Sequence, residues 1–255
     1  METRKKILIL TDFTQTCYDS VSYGLDLCRY YHLEAEVFHV GDRNNADSFQ
    51  VSKTLEMVAL YNQKFSMNVS VVIRQGNLSE EIALEVKQKD FYFVILGTHG
   101  KSGFQALTGS LAAKIITALK FPILVVQSRK FSPIESVALP FFSEVEIDNN
   151  FSDILPIVEI FGAKYHFFCR QNALEKASCF VSKYLQNKET SDYEIIVLKD
   201  TLVNFSAQMI SYCSQNNVSM IFSYPQKSKN LQSDVFFVEQ LMFNIPQIPV
   251  MCKYI

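Results

Sequence analysis

The chain contains 255 residues, of which 48% are hydrophobic and 20% are charged. This composition supplies enough apolar surface for a packed core and excludes intrinsic disorder. The 24 lysines and arginines are outnumbered by 26 acidic residues, so the basic excess that nucleic-acid binding needs is missing. The apolar runs are far shorter than the roughly 20 residues that cross a bilayer, which predicts a cytoplasmic protein without a membrane partner.

In the first half of the chain, short apolar runs alternate with segments of helical spacing. Strands are predicted over residues 6–12, 35–41, 68–75, 91–98 and 122–127. Helices are predicted over residues 18–31, 52–65, 79–89 and 110–119. The strands are near-continuous runs of Val, Ile, Leu and Phe, which is typical of a parallel sheet covered by helices on both faces. Residues 1–128 are therefore predicted to form one α/β domain with an open five-stranded parallel sheet.

After a polar stretch at residues 128–133, the second half repeats this order. Strands are predicted over residues 136–142, 164–169, 193–198, 219–224 and 249–252. An offset of 129 residues superimposes the first two strands of the halves, which indicates a tandem duplication with a second domain at residues 134–255. Pro156 lies where the first helix of this copy is expected, so that helix is predicted to kink there or to begin close to it.

The glycines are distributed unequally between the halves, because only one of the eight, Gly162, belongs to the second half. Gly97, Gly100 and Gly103 follow the fourth strand, and Gly109 with Ser110 opens the next helix. In an open α/β sheet the ligand crevice lies at the carboxyl ends of the strands, where glycines let backbone N–H groups approach an anion. The free N–H groups at the start of the helix add to this site. The first half is thus predicted to bind a phosphorylated ligand.

Several common catalytic and binding motifs are absent. A Walker A loop would need a glycine at Ile95, and Thr11-Asp12-Phe13-Thr14 stands where a dinucleotide-binding G-x-G-x-x-G would follow the first strand. The nucleophile elbow G-x-S-x-G is missing, and the cysteines and histidines lack metal-ligand spacing. The sequence predicts no catalytic residue and no metal ligand, with at most very slow ATP hydrolysis.

The residues at the predicted crevice resemble those of the universal stress protein family. The resemblance is carried by Thr11-Asp12-Phe13-Thr14 after the first strand, Phe38-His39-Val40 in the second, Gly97-Thr98-His99-Gly100 after the fourth, and Gly109-Ser110 before the last. It implies a Rossmann-like fold of the adenine nucleotide alpha hydrolase type and a role in the stress response. It also implies that a chain with two such domains pairs them as an intramolecular pseudo-dimer, while a homodimer is the other common arrangement.

The resemblance further implies an adenine nucleotide, ATP or AMP, as the ligand, with Mg²⁺ as the ion that would accompany it. Asp12, following Thr11, would contact the ribose, and the main chain at Val40 would contact adenine. The phosphates would lie against the glycine loop, at Gly97, Gly100, Gly109 and Ser110. A second interpretation of Asp12 stays open, because aspartate at this position is also favoured as the cap of the following helix.

One departure from the family pattern leaves the function open between two classes. Eight residues separate Gly100 from Gly109, whereas the family pattern G-x2-G-x9-G-[S/T] has nine. If the shorter loop turns its N–H groups away, no nucleotide binds and the protein is an interaction or scaffold module. A third alternative is an enzyme that acts on a phosphorylated metabolite.

The second half lacks the residues that would form the site. At the offset of 129, Asp12 is replaced by Phe141 and Val40 by Cys169, and the loop after the fourth strand contains no glycine. Pro225 removes a backbone donor from that loop. The second half is therefore predicted to be a degenerate copy that packs against the first and binds no nucleotide.

Overall fold

The computed structural model describes residues 6–41, 48–98, 115–116, 118–141, 155–185, 192–199, 204–223 and 244–253. The chain divides into two compact units, one that ends at Ser132 and also includes Cys252, and one over Pro133–Met251. No helix in these ranges is long and apolar enough to cross a membrane.

The first unit alternates strands with helices along the chain. Its strands are β1 (Lys6–Leu10), β2 (Glu34–Val40), β3 (Val69–Arg74), β4 (Phe91–Thr98) and β5 (Ile123–Gln127). Three of its helices are α1 (Gln15–Tyr30), α2 (Ser48–Phe65) and α3 (Leu78–Gln88). In the predicted helix 110–119, residues 115, 116, 118 and 119 are described and helical. The predicted α/β fold of this half is confirmed.

The strands of the first unit form a parallel sheet in the order β3-β2-β1-β4-β5. The chain runs outward from β1 through β2 to β3, then returns to the other side of β1 with β4 and β5. The strand order therefore reverses between β1 and β4, and in such sheets ligands bind in the crevice outside the carboxyl ends of the strands at this point. Asp12 and Gly97 belong to the chain segments that end these two strands.

The close packing of α1 on the sheet explains one glycine outside the loops. A Cβ atom at Gly24 would lie 2.7 Å from Ile9 Cδ1 and 3.0 Å from Ile95 Cδ1. Helix α1 therefore approaches β1 and β4 more closely than a side chain at residue 24 would allow without a shift of these isoleucines. This contact holds the helix that follows Asp12 against the two strands at the reversal point.

The second unit repeats the same alternation. Its strands are β6 (Ser136–Pro140), β7 (Lys164–Arg170), β8 (Tyr193–Leu198), β9 (Met220–Ser223) and β10 (Val250–Cys252). Its helices are α4 (Leu155–Phe161), α5 (Leu174–Leu185) and α6 (Phe205–Gln215), with a 3₁₀ turn at Gln171–Ala173. The strand order is β8-β7-β6-β9-β10, and β6 is parallel to β7 and β9. Pro156 lies in the first turn of α4 as described, where a proline is tolerated.

The strand register corrects the predicted offset between the two halves. Lys6 pairs with Glu34 in the first unit, and Ser136 pairs with Lys164 in the second, so both strands are offset by 130 residues rather than 129. The hydrogen bond from Thr11 N to Phe38 O recurs as the bond from Phe141 N to Phe168 O. Phe141 is therefore the equivalent of Thr11, not of Asp12. By the same offset, the equivalent of Val40 is Arg170 and not Cys169.

The ends of the predicted elements differ from the observed ones by small amounts. All ten strands lie within two residues of their predicted ends. Helix α1 begins three residues earlier than predicted, because the chain turns into the helix directly at Thr14. Helix α2 begins four residues earlier than its apolar spacing indicated, since its first turn carries polar and exposed residues.

Candidate functional site

The loop after β1 is held by two side chains that fold back on the backbone. Asp12 Oδ1 accepts hydrogen bonds from Thr14 N at 2.8 Å and from Thr14 Oγ1 at 2.6 Å. A side chain that accepts from the backbone two residues ahead forms an Asx turn, which replaces a backbone hydrogen bond. Thr11 Oγ1 makes the corresponding contact with Phe13 N at 3.0 Å. The two turns fix the direction of the Asp12 side chain.

Helix α1 is capped by Thr14 rather than by Asp12. Thr14 has extended backbone angles, and its Oγ1 accepts from Cys17 N at 3.4 Å. This arrangement satisfies one of the N–H groups that the first turn of a helix leaves free. Asp12 supports the cap indirectly, because it accepts a hydrogen bond from the capping hydroxyl. The alternative that Asp12 itself caps α1 is therefore wrong.

The Asp12 carboxylate is ionised and exposed. Partial loss of water around the carboxyl raises its pKa. Hydrogen bonds from the Cys17 thiol and from Thr14 outweigh this effect, so the pKa of Asp12 is lowered. For the Cys17 thiol, burial and the negative charge of Asp12 raise the pKa to about 12. At neutral pH the thiol is thus a protonated hydrogen-bond donor and not a nucleophile. The loop presents one negative charge to solvent at the carboxyl end of β1.

The end of β2 lies beside this loop. Val40 is half-buried and is the last residue of the strand, paired with Arg74 of β3. Gly41 follows with φ of 149°, a backbone conformation that residues other than glycine rarely adopt. Its N–H donates to Arg74 O at 2.9 Å. The backbone at residues 40 and 41 therefore turns tightly past the end of the sheet. It closes one side of the crevice without a side chain at residue 41.

The end of β4 forms the other side of the crevice. Gly97 pairs with Val126 and is partly exposed, whereas Thr98 pairs with Gln127 and is buried. Thr98 Oγ1 has no hydrogen-bond partner among the described residues. The remaining predicted phosphate contacts, Gly100, Gly109 and Ser110, lie outside the described residues.

Four of the predicted site residues follow or end three adjacent strands of one sheet. Thr11 and Asp12 follow β1, Val40 ends β2, and Gly97 lies near the end of β4. Because these strands are parallel, their carboxyl ends meet at one edge of the sheet, which supports the predicted position of the site. The capping role of Thr14 is not among the sequence predictions, although threonine directly before a helix is a recognisable signal.

The comparison with protein families bears directly on this arrangement. Residues 3–127 match the model of the universal stress protein family. The first half of the chain therefore belongs to the universal stress protein family. The match covers β1 to β5, so it includes all three strand ends that form the crevice. The resemblance inferred from the loop residues is confirmed.

Solved structures extend the likeness of fold to the whole chain of this universal stress protein. A universal stress protein from Archaeoglobus fulgidus DSM 4304 is similar over 98% of each chain, with 16% sequence identity and a TM-score of 0.72. A functionally unknown protein from Pseudomonas aeruginosa PAO1 covers 99% of this chain and 93% of its own, with 11% identity and a TM-score of 0.62. At these identities the structures establish a shared fold and nothing further. No curated protein sequence matches the chain significantly.

The second unit of this universal stress protein carries a different residue at the equivalent strand end. Arg170 takes the place of Val40, and its guanidinium donates to the backbone oxygen of Lys199. The same group lies 5.5 Å from the centre of the Phe205 ring, within range of a cation–π contact. A charged side chain thus occupies the end of β7 where the first unit has Val40 and an open glycine turn. Among the described residues of both units, no group of three His, Cys, Asp or Glu could hold a metal ion.

Proposed function

We propose that the first unit of this universal stress protein binds an adenine nucleotide, AMP or ATP, and that occupancy of the site regulates the contacts of the protein. Asp12 contacts the ribose hydroxyls, the backbone at Val40 contacts the base, and Gly97, Gly100, Gly109 and Ser110 surround the phosphates. Thr11 supports the site by holding the loop through its side chain. Mg²⁺ would enter with the nucleotide rather than at a metal site of the protein, since no group of three His, Cys, Asp or Glu among the described residues could hold it.

The observation that carries this proposal is the position of the Asp12 carboxylate. It is ionised, exposed and fixed by Thr14 at the end of β1, where the strand order of the sheet reverses. A fixed carboxylate oxygen that is not used by the Asx turn can accept hydrogen bonds from two vicinal hydroxyls, as a ribose offers. Gly41 follows β2 and Gly97 lies near the end of β4, the two strands that flank β1.

The same proposal assigns no nucleotide to the second unit. We propose that residues 1–128 form the nucleotide-binding domain and that residues 134–255 form a degenerate domain, which serves as its packing partner. At the equivalent strand end, the Arg170 guanidinium bonds to Lys199 O and contacts the Phe205 ring, so this residue differs in chemistry from Val40, which supports the assignment. Binding with a stoichiometry of one nucleotide per chain is therefore expected.

Calorimetric titration of the purified chain with AMP, ATP and GMP tests the proposal. Binding to the folded state should raise the free energy of unfolding by about 2.7 kcal/mol at a nucleotide concentration about 100 times Kd. ATP is titrated with and without Mg²⁺ to decide whether the ion contributes. Mass spectrometry of the protein as purified shows whether an adenine nucleotide is already bound.

Asp12→Asn is the variant that separates binding from folding. Its amide oxygen can still accept from Thr14, so the Asx turn and the helix cap are retained, whereas the negative charge that faces the ribose is lost. We expect the free energy of unfolding of this variant to lie within about 0.5 kcal/mol of that of the unmodified protein. We also expect the variant to lose nucleotide binding. Glu56→Gln, on the exposed face of α2, is the matched control and should bind normally. If the unmodified chain binds none of the nucleotides, the interaction-module alternative replaces the proposal.

A further inference from the structure

The His39 side chain lies between the two loops that form the adenine and ribose sides of the proposed site. It is 7% exposed, and its ring centre is 4.6 Å from that of Phe13. His39 Nδ1 lies 2.8 Å from Thr11 O. Because a carbonyl oxygen only accepts hydrogen bonds, Nδ1 is the donor in this contact. The imidazole therefore joins β2 to the loop that begins with Thr11.

This loop contains a residue in an unfavourable backbone conformation. Phe13 has φ of 61°, in the left-handed region, although it is a bulky aromatic residue and only 2% exposed. The left-handed conformation costs a side-chain-bearing residue roughly 1–2 kcal/mol, so neighbouring contacts must hold it. Phe13 stands between Asp12 and Thr14, and its backbone angles set how these two residues meet. The ring of His39 packs against the Phe13 ring and supplies one of the holding contacts.

On its other side, the imidazole supports the turn after β2. A Cβ atom at Gly41 would lie 3.2 Å from His39 Nε2 and 3.5 Å from Cε1, so the imidazole packs directly beside the backbone of residue 41. Nε2 is buried and has no hydrogen-bond partner among the described residues. An unpaired buried acceptor costs free energy. A histidine here is thus explained by its Nδ1 donor and its ring contacts, not by a bond from Nε2.

We infer that His39 is a positioning residue for the nucleotide site, which holds the Asp12 loop and the Val40–Gly41 turn in a fixed relation through the Nδ1–H bond to Thr11 O and the ring contact with Phe13. The inference rests on the proposed function, since it names the residue that places the ribose and adenine contacts relative to each other. His39 itself contacts no part of the nucleotide. A precise relation matters because small displacements of binding groups reduce affinity strongly.

Three variants of His39 distinguish the donor from the bulk of the ring. In His39→Asn the amide nitrogen is attached to Cγ, as Nδ1 is, so the bond to Thr11 O can be kept. His39→Gln places its amide farther out, near the position of Nε2, and loses that bond. His39→Leu keeps an apolar side chain without any donor. We expect His39→Gln and His39→Leu to weaken AMP binding by about tenfold or more, and His39→Asn to stay within about threefold.

A second measurement keeps the test independent of nucleotide. The pKa of the Asp12 carboxyl, followed by ¹³C NMR titration in the ligand-free protein, should rise toward its usual value in His39→Gln and His39→Leu, because the loop no longer holds the Thr14 hydrogen bonds. In His39→Asn it should stay low. If AMP does not bind to any form but the carboxyl pKa moves in this way, the proposed function fails and the positioning role stands. An unchanged carboxyl pKa with unchanged AMP affinity in His39→Leu overturns the inference.

Discussion

Glu36 and His166 occupy equivalent positions in the two units of this universal stress protein. Each is the third residue of the second strand of its sheet, and each is buried. Glu36 pairs with Leu8, and His166 with Ala138, at the common offset of 130 residues. The same interior position thus carries a carboxylate in the first unit and an imidazole in the second, and each is balanced by different neighbours.

Glu36 is stabilised by two lysines that converge on one carboxylate. Lys6 Nζ and Lys89 Nζ lie 2.7 Å and 2.8 Å from Glu36 Oε2, and Ser70 Oγ donates to the same oxygen at 3.1 Å. Glu36→Gln removes the negative charge that pairs with both lysines. We expect a loss of about 2 kcal/mol in the free energy of unfolding, less than for a fully buried pair because the lysines can turn toward water. Urea unfolding checks this, and Glu56→Gln should change the value by less than about 0.5 kcal/mol.

The same carboxylate makes the protein sensitive to acid. Burial alone would raise the pKa of Glu36, but the hydrogen bonds from Lys6 and Lys89 prevail and lower it from 4.5 to about 2. The stabilisation by Glu36 is therefore complete above pH 4.5 and is lost as the pH falls from 4.5 toward 2. In Glu36→Gln this part of the acid-induced loss should disappear. If the free energy of unfolding decreases equally steeply in both proteins over that pH interval, Glu36 is not the source of the acid sensitivity.

The second unit should lose stability as the pH falls below about 6.5, through His166. Burial lowers the pKa of His166 below its usual 6.5, although Glu194 opposes this from 3.5 Å away. Above pH 6.5 the imidazole is neutral in both the folded and the unfolded chain; below it, the unfolded chain takes up the proton more readily and folding weakens. Replacing His166 with Gln should flatten the dependence of the urea midpoint on pH as the pH falls below about 6.5. A urea midpoint that keeps the same pH dependence in this variant would contradict the role of His166.

The Thr14 cap offers a test of the Asp12 loop that needs no ligand. Thr14→Ala removes the hydroxyl that accepts from Cys17 N and donates to Asp12 Oδ1. We expect a loss of about 1 kcal/mol in thermal unfolding, the usual value for a helix N-cap. Thr14→Ser keeps the hydroxyl and should recover most of this stability. Equal losses in both variants would show that the methyl group, rather than the hydrogen bonds, matters at residue 14.

The left-handed conformation of Phe13 predicts an unusual order of two substitutions. Both Phe13→Ala and Phe13→Gly lose the buried ring and its contact with His39, which should cost about 3–5 kcal/mol. Alanine keeps the unfavourable φ of 61°, whereas glycine adopts it without strain. We therefore expect the glycine variant to be the more stable of the two by roughly 0.5–1 kcal/mol. The reverse order would mean that the loop abandons its conformation once the ring is gone.

The class and order of the elements follow from the amino-acid pattern alone. Buried parallel strands are near-continuous apolar runs, so β1 to β10 could be recognised one at a time, and their repeated spacing showed the duplication. The resemblance of Thr11-Asp12 and Gly97-Thr98 to a known family followed from short local motifs, which need no knowledge of the tertiary structure.

The contacts between residues distant in the chain depend on how the strands and helices pack. The one-residue difference in offset, which makes Arg170 and not Cys169 the equivalent of Val40, depends on strand register, because apolar runs can slide by one residue without changing their composition. The contact of His39 with Thr11 and the convergence of Lys6 and Lys89 on Glu36 join residues between 28 and 53 positions apart. Side-chain hydrogen bonds of this kind follow from the packing of adjacent strands, and no local pattern in the chain encodes them.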